Sequence, residues 1–206
     1  MLYKDVPALT HNCPQCGDAL KIYFKYSKLV QCNSCNSSIF LEDDAAKVIG
    51  QSSVLSPEPS LIQLHKAFTY KKKSYLPIGK IRYSYGRGFW EEWFLKDASN
   101  KEFWLSIDEG DFVLQEKVKL PLPVKSTSAF TVGAKYGKYL VTEKGEGTCV
   151  GFEGELPKNI NTFQKHQYVH LSLGYGKLVT IEFTKELIET FRGEWIDPLE
   201  IEVQYS

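Results

Sequence analysis

Neither sign of charge is in surplus in this 206-residue chain: Lys plus Arg number 25 and Asp plus Glu number 25, a formal net charge of zero. That balance excludes a chain-wide electrostatic grip on nucleic acid or an anionic membrane, and any such binding must come from a local patch. Long apolar runs are also lacking. Ile22 to Phe24 and Leu120 to Val124 are short clusters, far below the roughly 18 uncharged residues that a spanning helix needs. Met1-Leu2-Tyr3-Lys4-Asp5 has no basic region leading into an apolar one, so no secretory leader is expected, and neither end carries a lipidation signal. The expected setting is cytoplasmic, without membrane insertion. Sustained helical periodicity is missing too; only Asp44 to Ile49 and Lys185 to Phe191 suit a short helix. In its place stand 12 Tyr, 12 Phe and 4 Trp beside a single Met, a balance that leans toward strands.

The five cysteines divide into four and one. Cys13, Cys16, Cys32 and Cys35 form C-x2-C-x15-C-x2-C, a spacing class of zinc sites. Each pair must wrap a tight turn so that both thiolates face one cation. Gly17 supplies the left-handed residue ending the first turn, and Asn36 takes the same position in the second. Between them, Ala19 to Tyr26 and Leu29 to Gln31 read as a hairpin turning at Ser27-Lys28, and Ser38 to Leu41 adds a third strand. Two knuckles joined by a hairpin predict a zinc ribbon over residues 1–42. Its four thiolates close a tetrahedral structural Zn2+ site with no open position for water. Iron in the same cage and a thiol redox pair are the alternatives; redox is disfavoured because no βαβ pattern surrounds either pair. His11 reads as an exposed neighbour and Cys149 as a buried hydrophobe.

Residues 43–60 form a linker, acidic at Glu42-Asp43-Asp44 and broken by Pro57 and Pro59. The remainder, 61–206, reads as one β-rich domain with halves 61–120 and 125–206, connected through Pro121 and Pro123. The fold class is therefore mainly β: a small zinc ribbon, then an antiparallel β-sandwich or barrel-like domain. Glu92-Trp93-Phe94 and Gly110-Asp111-Phe112 resemble Glu182-Phe183-Thr184 and Gly193-Glu194-Trp195 in the same order. Two similar meanders and a chance likeness of aromatic strands both account for this. The glycines at 145, 147, 151 and 154 lack the strand-to-helix setting of a phosphate loop and read as tight hairpin turns.

Gly79-Lys80-Ile81-Arg82-Tyr83, Trp90-Glu91-Glu92-Trp93, Trp104-Leu105, Thr180-Ile181-Glu182-Phe183 and Phe191-Arg192-Gly193 resemble a bacterial domain-of-unknown-function family, numbered 4178. Its W-x-E-[WY] strand falls on Trp90, Glu92 and Trp93, and its G-E-x-P turn on Gly154-Glu155-Leu156-Pro157. The resemblance covers about residues 64–203 and extends to a zinc-ribbon-like front end. It implies a bacterial, cytoplasmic setting near membrane-associated stress systems, and no established activity.

Three function classes follow. The first is a non-catalytic protein-interaction module with a protein partner of unknown identity. Its candidate binding surface is Lys71, Lys72, Lys73, Arg82, Trp90, Glu92 and Trp93. The second is a nucleic-acid or anion binder through residues 66–87, where seven Lys and Arg interleave with Phe68, Tyr70, Tyr75, Tyr83 and Tyr85, suiting backbone charge and base stacking. Against it, the eight acids between Glu91 and Glu116 suit cross-strand neutralisation of those cations. The third is an enzyme using a buried carboxylate, since alternation puts one of Glu91 and Glu92 beside core aromatics whichever face is buried. Pairing with Arg82 or Lys80 is the competing role for that carboxylate. No catalytic residue is assigned. His166 and His170 share a strand face, roughly 13 Å apart at 3.3 Å per residue, too far for one metal, and read as surface residues.

Overall fold

In the computed structural model, residues 9–42, 45–52, 55–119, 126–160, 163–185 and 187–203 are described. The Pro121–Pro123 connection and the junction of the two expected halves lie outside them. The N-terminal part comprises β1 (Leu9–Asn12), β2 (Ala19–Ile22), β3 (Leu29–Gln31), β4 (Ser37–Glu42) and β5 (Ala45–Ser52). β1 pairs with β2, and β3, β4 and β5 form successive antiparallel pairs. Each cysteine knuckle thus turns its own hairpin, and the one expected between Ala19 to Tyr26 and Leu29 to Gln31 does not form; β3 pairs instead with β4 and with the later strand at 155–156. β5 corrects the expectation of a helix near 44–49. Ala46, Lys47 and Val48 stand opposite Leu41, Phe40 and Ile39, and the edge of β4 satisfies their backbone where so short a helix would barely nucleate. Part of the expected linker is thus a strand of the cysteine module's sheet.

The next elements are β6 (Phe68–Tyr70), β7 (Lys73–Ser84), β8 (Phe89–Asp97), β9 (Glu102–Asp108) and β10 (Asp111–Lys117). After a short 3-10 turn come β11 (Lys135–Tyr136), β12 (Tyr139–Leu156), β13 (Lys165–Gly174), β14 (Lys177–Phe183), β15 (Ile188–Ile196) and β16 (Glu202–Val203). β7-β8-β9-β10 is one antiparallel meander and β12-β13-β14-β15 a second. β10 pairs with β15 and β12 with β7, so these eight strands form a ring. Eight strands leave an interior just wide enough for packed side chains or one small ligand. β15 corrects the second helical expectation: it runs between β10 and β14, with both edges hydrogen-bonded. The quoted internal likeness does not follow the meanders, since Glu92 lies on the second strand of its meander and Glu182 on the third of the other.

β12 is 18 residues long and contains all four glycines expected in hairpin turns. Two of them face inward for a steric reason. A Cβ on Gly147 would lie 2.3 Å from the Trp90 ring, and one on Gly145 would lie 2.4 Å from that of Tyr168. They are clearances in a strand wall.

Strand alternation gives the ring two packed faces. Inside one end, Phe94, Trp104, Phe152 and Phe191 pack with Phe24 and Leu29 of the cysteine module. Outside, Trp93, Leu95, Leu105 and Phe112 are covered by Ile62, Phe68 and Ile201. The cysteine module continues the ring's sheet, because β3 pairs with β12 at Val30↔Glu155 and Leu29↔Leu156. Glu155, 2% exposed, joins them further: it accepts from Tyr23 N at 2.7 Å, Phe24 N at 3.0 Å and Ser27 Oγ at 2.8 Å. Opposite it, a Cβ on Gly79 would lie 1.9 Å from the Glu155 carbonyl oxygen.

Candidate functional site

Two sites emerge. In the first, Cys13 N donates to Asp18 O and Gly17 N to Cys13 O; Cys32 N donates to Ser37 O and Asn36 N to Cys32 O. The two knuckles are near copies. Gly17 and Asn36 take φ of 79° and 58°, the left-handed turn ends that the spacing predicts. The Sγ atoms of Cys13, Cys16, Cys32 and Cys35 lie within 4.8 Å of one another, with Cys13–Cys35 and Cys16–Cys32 each at 3.7 Å. All are free thiols. Four sulfurs about 2.3 Å from a tetrahedral centre stand roughly 3.75 Å apart, the spacing of these two pairs, and the cluster could hold a metal ion. His11 stands outside this group.

The second site is the ring's interior at the end away from the cysteine module. The motif Trp90-Glu91-Glu92-Trp93 is buried on both faces, and its two carboxylates take different roles. Glu91 faces outward. Its Oε1 accepts from Arg82 Nε at 3.1 Å and Nη2 at 2.7 Å, with Lys80 Nζ at 3.4 Å, while Oε2 accepts from Trp93 Nε1 at 3.1 Å. This is the structural ion pair. Glu92 faces inward, and its Oε2 has no hydrogen-bond partner. Burial, reinforced by the negative charge of Glu182, pushes its carboxyl up to about 8.

Around Glu92 the interior is polar. Lys158 Nζ sits 2.7 Å from Glu189 and 3.8 Å from Glu182, whose carboxylate is also 3.8 Å from His166 Nε2. Burial works against the charged Lys158, but Glu182 and Glu189 outweigh it and raise its pKa. Burial lowers that of His166. His166 is 3% exposed and lies 4.5 Å, ring to ring, from Tyr83, and His170 Nδ1 lies 3.1 Å from Glu143. Both histidines therefore line the interior, which corrects their reading as surface residues. Thr180, 4% exposed, leaves its Oγ1 unpartnered. Above these groups opens a cleft walled by Trp90, Tyr168 and Trp195.

The sequence-selected surface residues are not brought together. Lys71 and Lys72 form the β6–β7 turn, Lys71 bonded to Glu194 at 3.1 Å, and Lys73 is exposed where β7 begins. Arg82 and Trp93 are buried on the ring's outer face, Trp90 and Glu92 on its inner one. Glu182, Thr180 and His166 were not selected: their partners lie on other strands, and the one signal available was the shared face of Thr180 and Glu182 in an otherwise apolar strand.

The family described as Domain of unknown function (DUF4178) matches residues 63–198, more than half of the chain. The chain belongs to the DUF4178 family. No curated protein and no solved structure matches it. The DUF4178 match spans the whole eight-stranded ring and ends short of the cysteine cage. The G-E-x-P segment, expected as a turn, closes β12 instead, and its Glu155 receives the cysteine module. Among the described residues, no helix is long and apolar enough to cross a membrane.

Proposed function

We propose that the chain is a non-catalytic, zinc-containing binding module. The four thiolates hold a structural zinc, and the open end of the ring receives a ligand or part of a partner. The observation that carries this reading is the pair of buried, unpartnered polar atoms, Glu92 Oε2 and Thr180 Oγ1, lining one cleft. Leaving such groups unsatisfied costs about 1–3 kcal/mol each, an expense explained when a bound group completes them. Tetrahedral sulfur spacing and the borderline softness of Zn2+ favour zinc over harder cations. The basic stretch is a weaker candidate for nucleic acid, because Lys80 and Arg82 are buried against Glu91 and Lys71 meets Glu194.

The test is Glu92→Gln, read as stability against pH. Glu92 titrates higher in the fold than unfolded, so its contribution is complete below about pH 4.5 and is lost as pH rises toward about 8. Each pH unit within that window removes about 1.4 kcal/mol. Between pH 7 and 8, where the lowered His166 is neutral in the fold and mostly neutral unfolded, Glu92→Gln should be the more stable protein and lack this slope. A group retained for the fold would instead destabilise it on removal, and that result would sink the reading.

A further inference from the structure

Three features of the cleft say what it takes. First, its lining holds Glu92, Asp108, Asp111, Glu143 and Glu182 but no Lys or Arg. Of the two histidines there, burial holds His166 toward its neutral form, and His170 faces Glu143 at 3.1 Å. Asp108 is raised by burial first and then by neighbouring carboxylates, Glu109 first among them; Lys158, shared between Glu189 and Glu182 behind the lining, offsets only part of this charge. Second, Glu92 and Thr180 are each more than nine-tenths buried with an oxygen unpartnered. Third, the walls are aromatic. Trp90 is fixed by stacking on Tyr83 at 4.9 Å and by an edge contact with Tyr168 at 5.5 Å.

Acceptors at the base and π faces around them suit a cation with several N–H donors and an alkyl stem. A bare metal ion suits them less. Among the described residues, the only set of three or more Cys, His, Asp and Glu ligand atoms close enough for one metal is the cysteine cage. We propose that the open end of the ring binds an alkylammonium or guanidinium group, its charge seated between Glu92 and Thr180 and its stem against Trp90, Tyr168 and Trp195. This rests on the reading of the ring as a binding module and names its ligand class. The group can come from a free amine or from a basic side chain.

The experiment titrates the zinc-loaded full chain with n-butylammonium, N-butylguanidinium, Nα-acetyl-lysine methylamide, 1-butanol, butyrate and Mn2+. Calorimetry and the tryptophan indole N–H resonances are the readouts. The cations should bind and shift the Trp90 and Trp195 signals while Trp93, on the outer face, stays fixed. Butanol and butyrate should do neither. If acetyl-lysine methylamide binds at least as well as butylammonium, the source is a partner's side chain; if it fails where butylammonium binds, it is a free amine. Glu92→Gln should weaken cation binding by about tenfold or more, and Thr180→Val, which leaves the carboxylate in place, should weaken it less. A cation beside Glu92 favours its ionised form, acting with Lys158 and against burial and Glu182, while His166 and Tyr83 also face this interior. At pH 7.5 binding should therefore release protons from the wild type and none from Glu92→Gln, seen as a heat that varies with the buffer. Butyrate or Mn2+ binding at Trp90 in place of the cations overturns the ligand class but keeps the binding module. If no probe moves Trp90, both fall.

Discussion

Replacing Glu155 by alanine should uncouple the cysteine module from the ring. The carboxylate accepts two backbone N–H groups and one hydroxyl from residues 23–27. Ser27 Oγ can turn to another partner, but the Tyr23 and Phe24 amides cannot, and each orphaned buried N–H costs about 1–3 kcal/mol. Relief follows from removing a carboxylate whose pKa burial has raised, so the net loss is about 2–4 kcal/mol. Phe24, packed 5.4 Å from Phe94, loses its anchor at the same time. The assay is urea unfolding with two probes: tryptophan fluorescence and zinc release to a chromogenic chelator. All four tryptophans, at 90, 93, 104 and 195, lie on strands of the ring, and Trp104 lies in the core it shares with Phe24 and Leu29 of the cysteine module. In the wild type both transitions should coincide, because β3 extends the ring's sheet and the two parts share a core. In Glu155→Ala zinc release should move to lower urea and separate from the fluorescence transition. Glu155→Gln keeps one acceptor oxygen and should shift zinc release by about half as much. The reasoning fails if zinc release already precedes ring unfolding in the wild type. It fails equally if Glu155→Ala moves both transitions together by under about 0.5 kcal/mol.

Arg82→Met should leave Glu91 with only Lys80 and the Trp93 indole in a buried site, a loss of about 3 kcal/mol; Arg82→Met with Glu91→Met should recover most of it. A single-variant loss below about 0.5 kcal/mol in urea titration would show that the pair is dispensable. Cys32→Ser should abolish the one bound metal, measured by elemental analysis. It should also expose residues 9–42 to protease and open the Phe94 end of the ring to solvent, read as a shifted Trp104 emission. Retention of a stoichiometric metal by Cys32→Ser would contradict a closed four-thiolate cage.

How far the sequence could be read depended on how local each cause was. The cysteine cage was legible because its determinants lie within 24 residues: two C-x2-C turns, with Gly17 and Asn36 where a left-handed residue is needed. The strands β8 and β9 were legible from aromatic runs bounded by turn residues. Ring closure was not, because it depends on β12 meeting β7 some 70 positions away, and an 18-residue strand with four glycines resembles a string of turns until Trp90 and Tyr168 are seen filling the space those glycines leave. The carboxylate motif shows the same limit at higher resolution. Alternation states that Glu91 and Glu92 face opposite ways; it cannot state that both faces are covered. Glu91 meets its cation nine residues upstream, at a register the hairpin itself fixes, so that pairing was within reach. Glu92 meets Glu182 instead, a like charge brought to it by ring closure alone. Lys158 offsets part of that charge, but it pairs first with Glu189 at 2.7 Å and stands 3.8 Å from Glu182. That this interior keeps a buried carboxylate with one oxygen unpartnered beside a second carboxylate, beneath an open cleft, is the strongest physical reason to look for function inside the ring and not along the basic stretch.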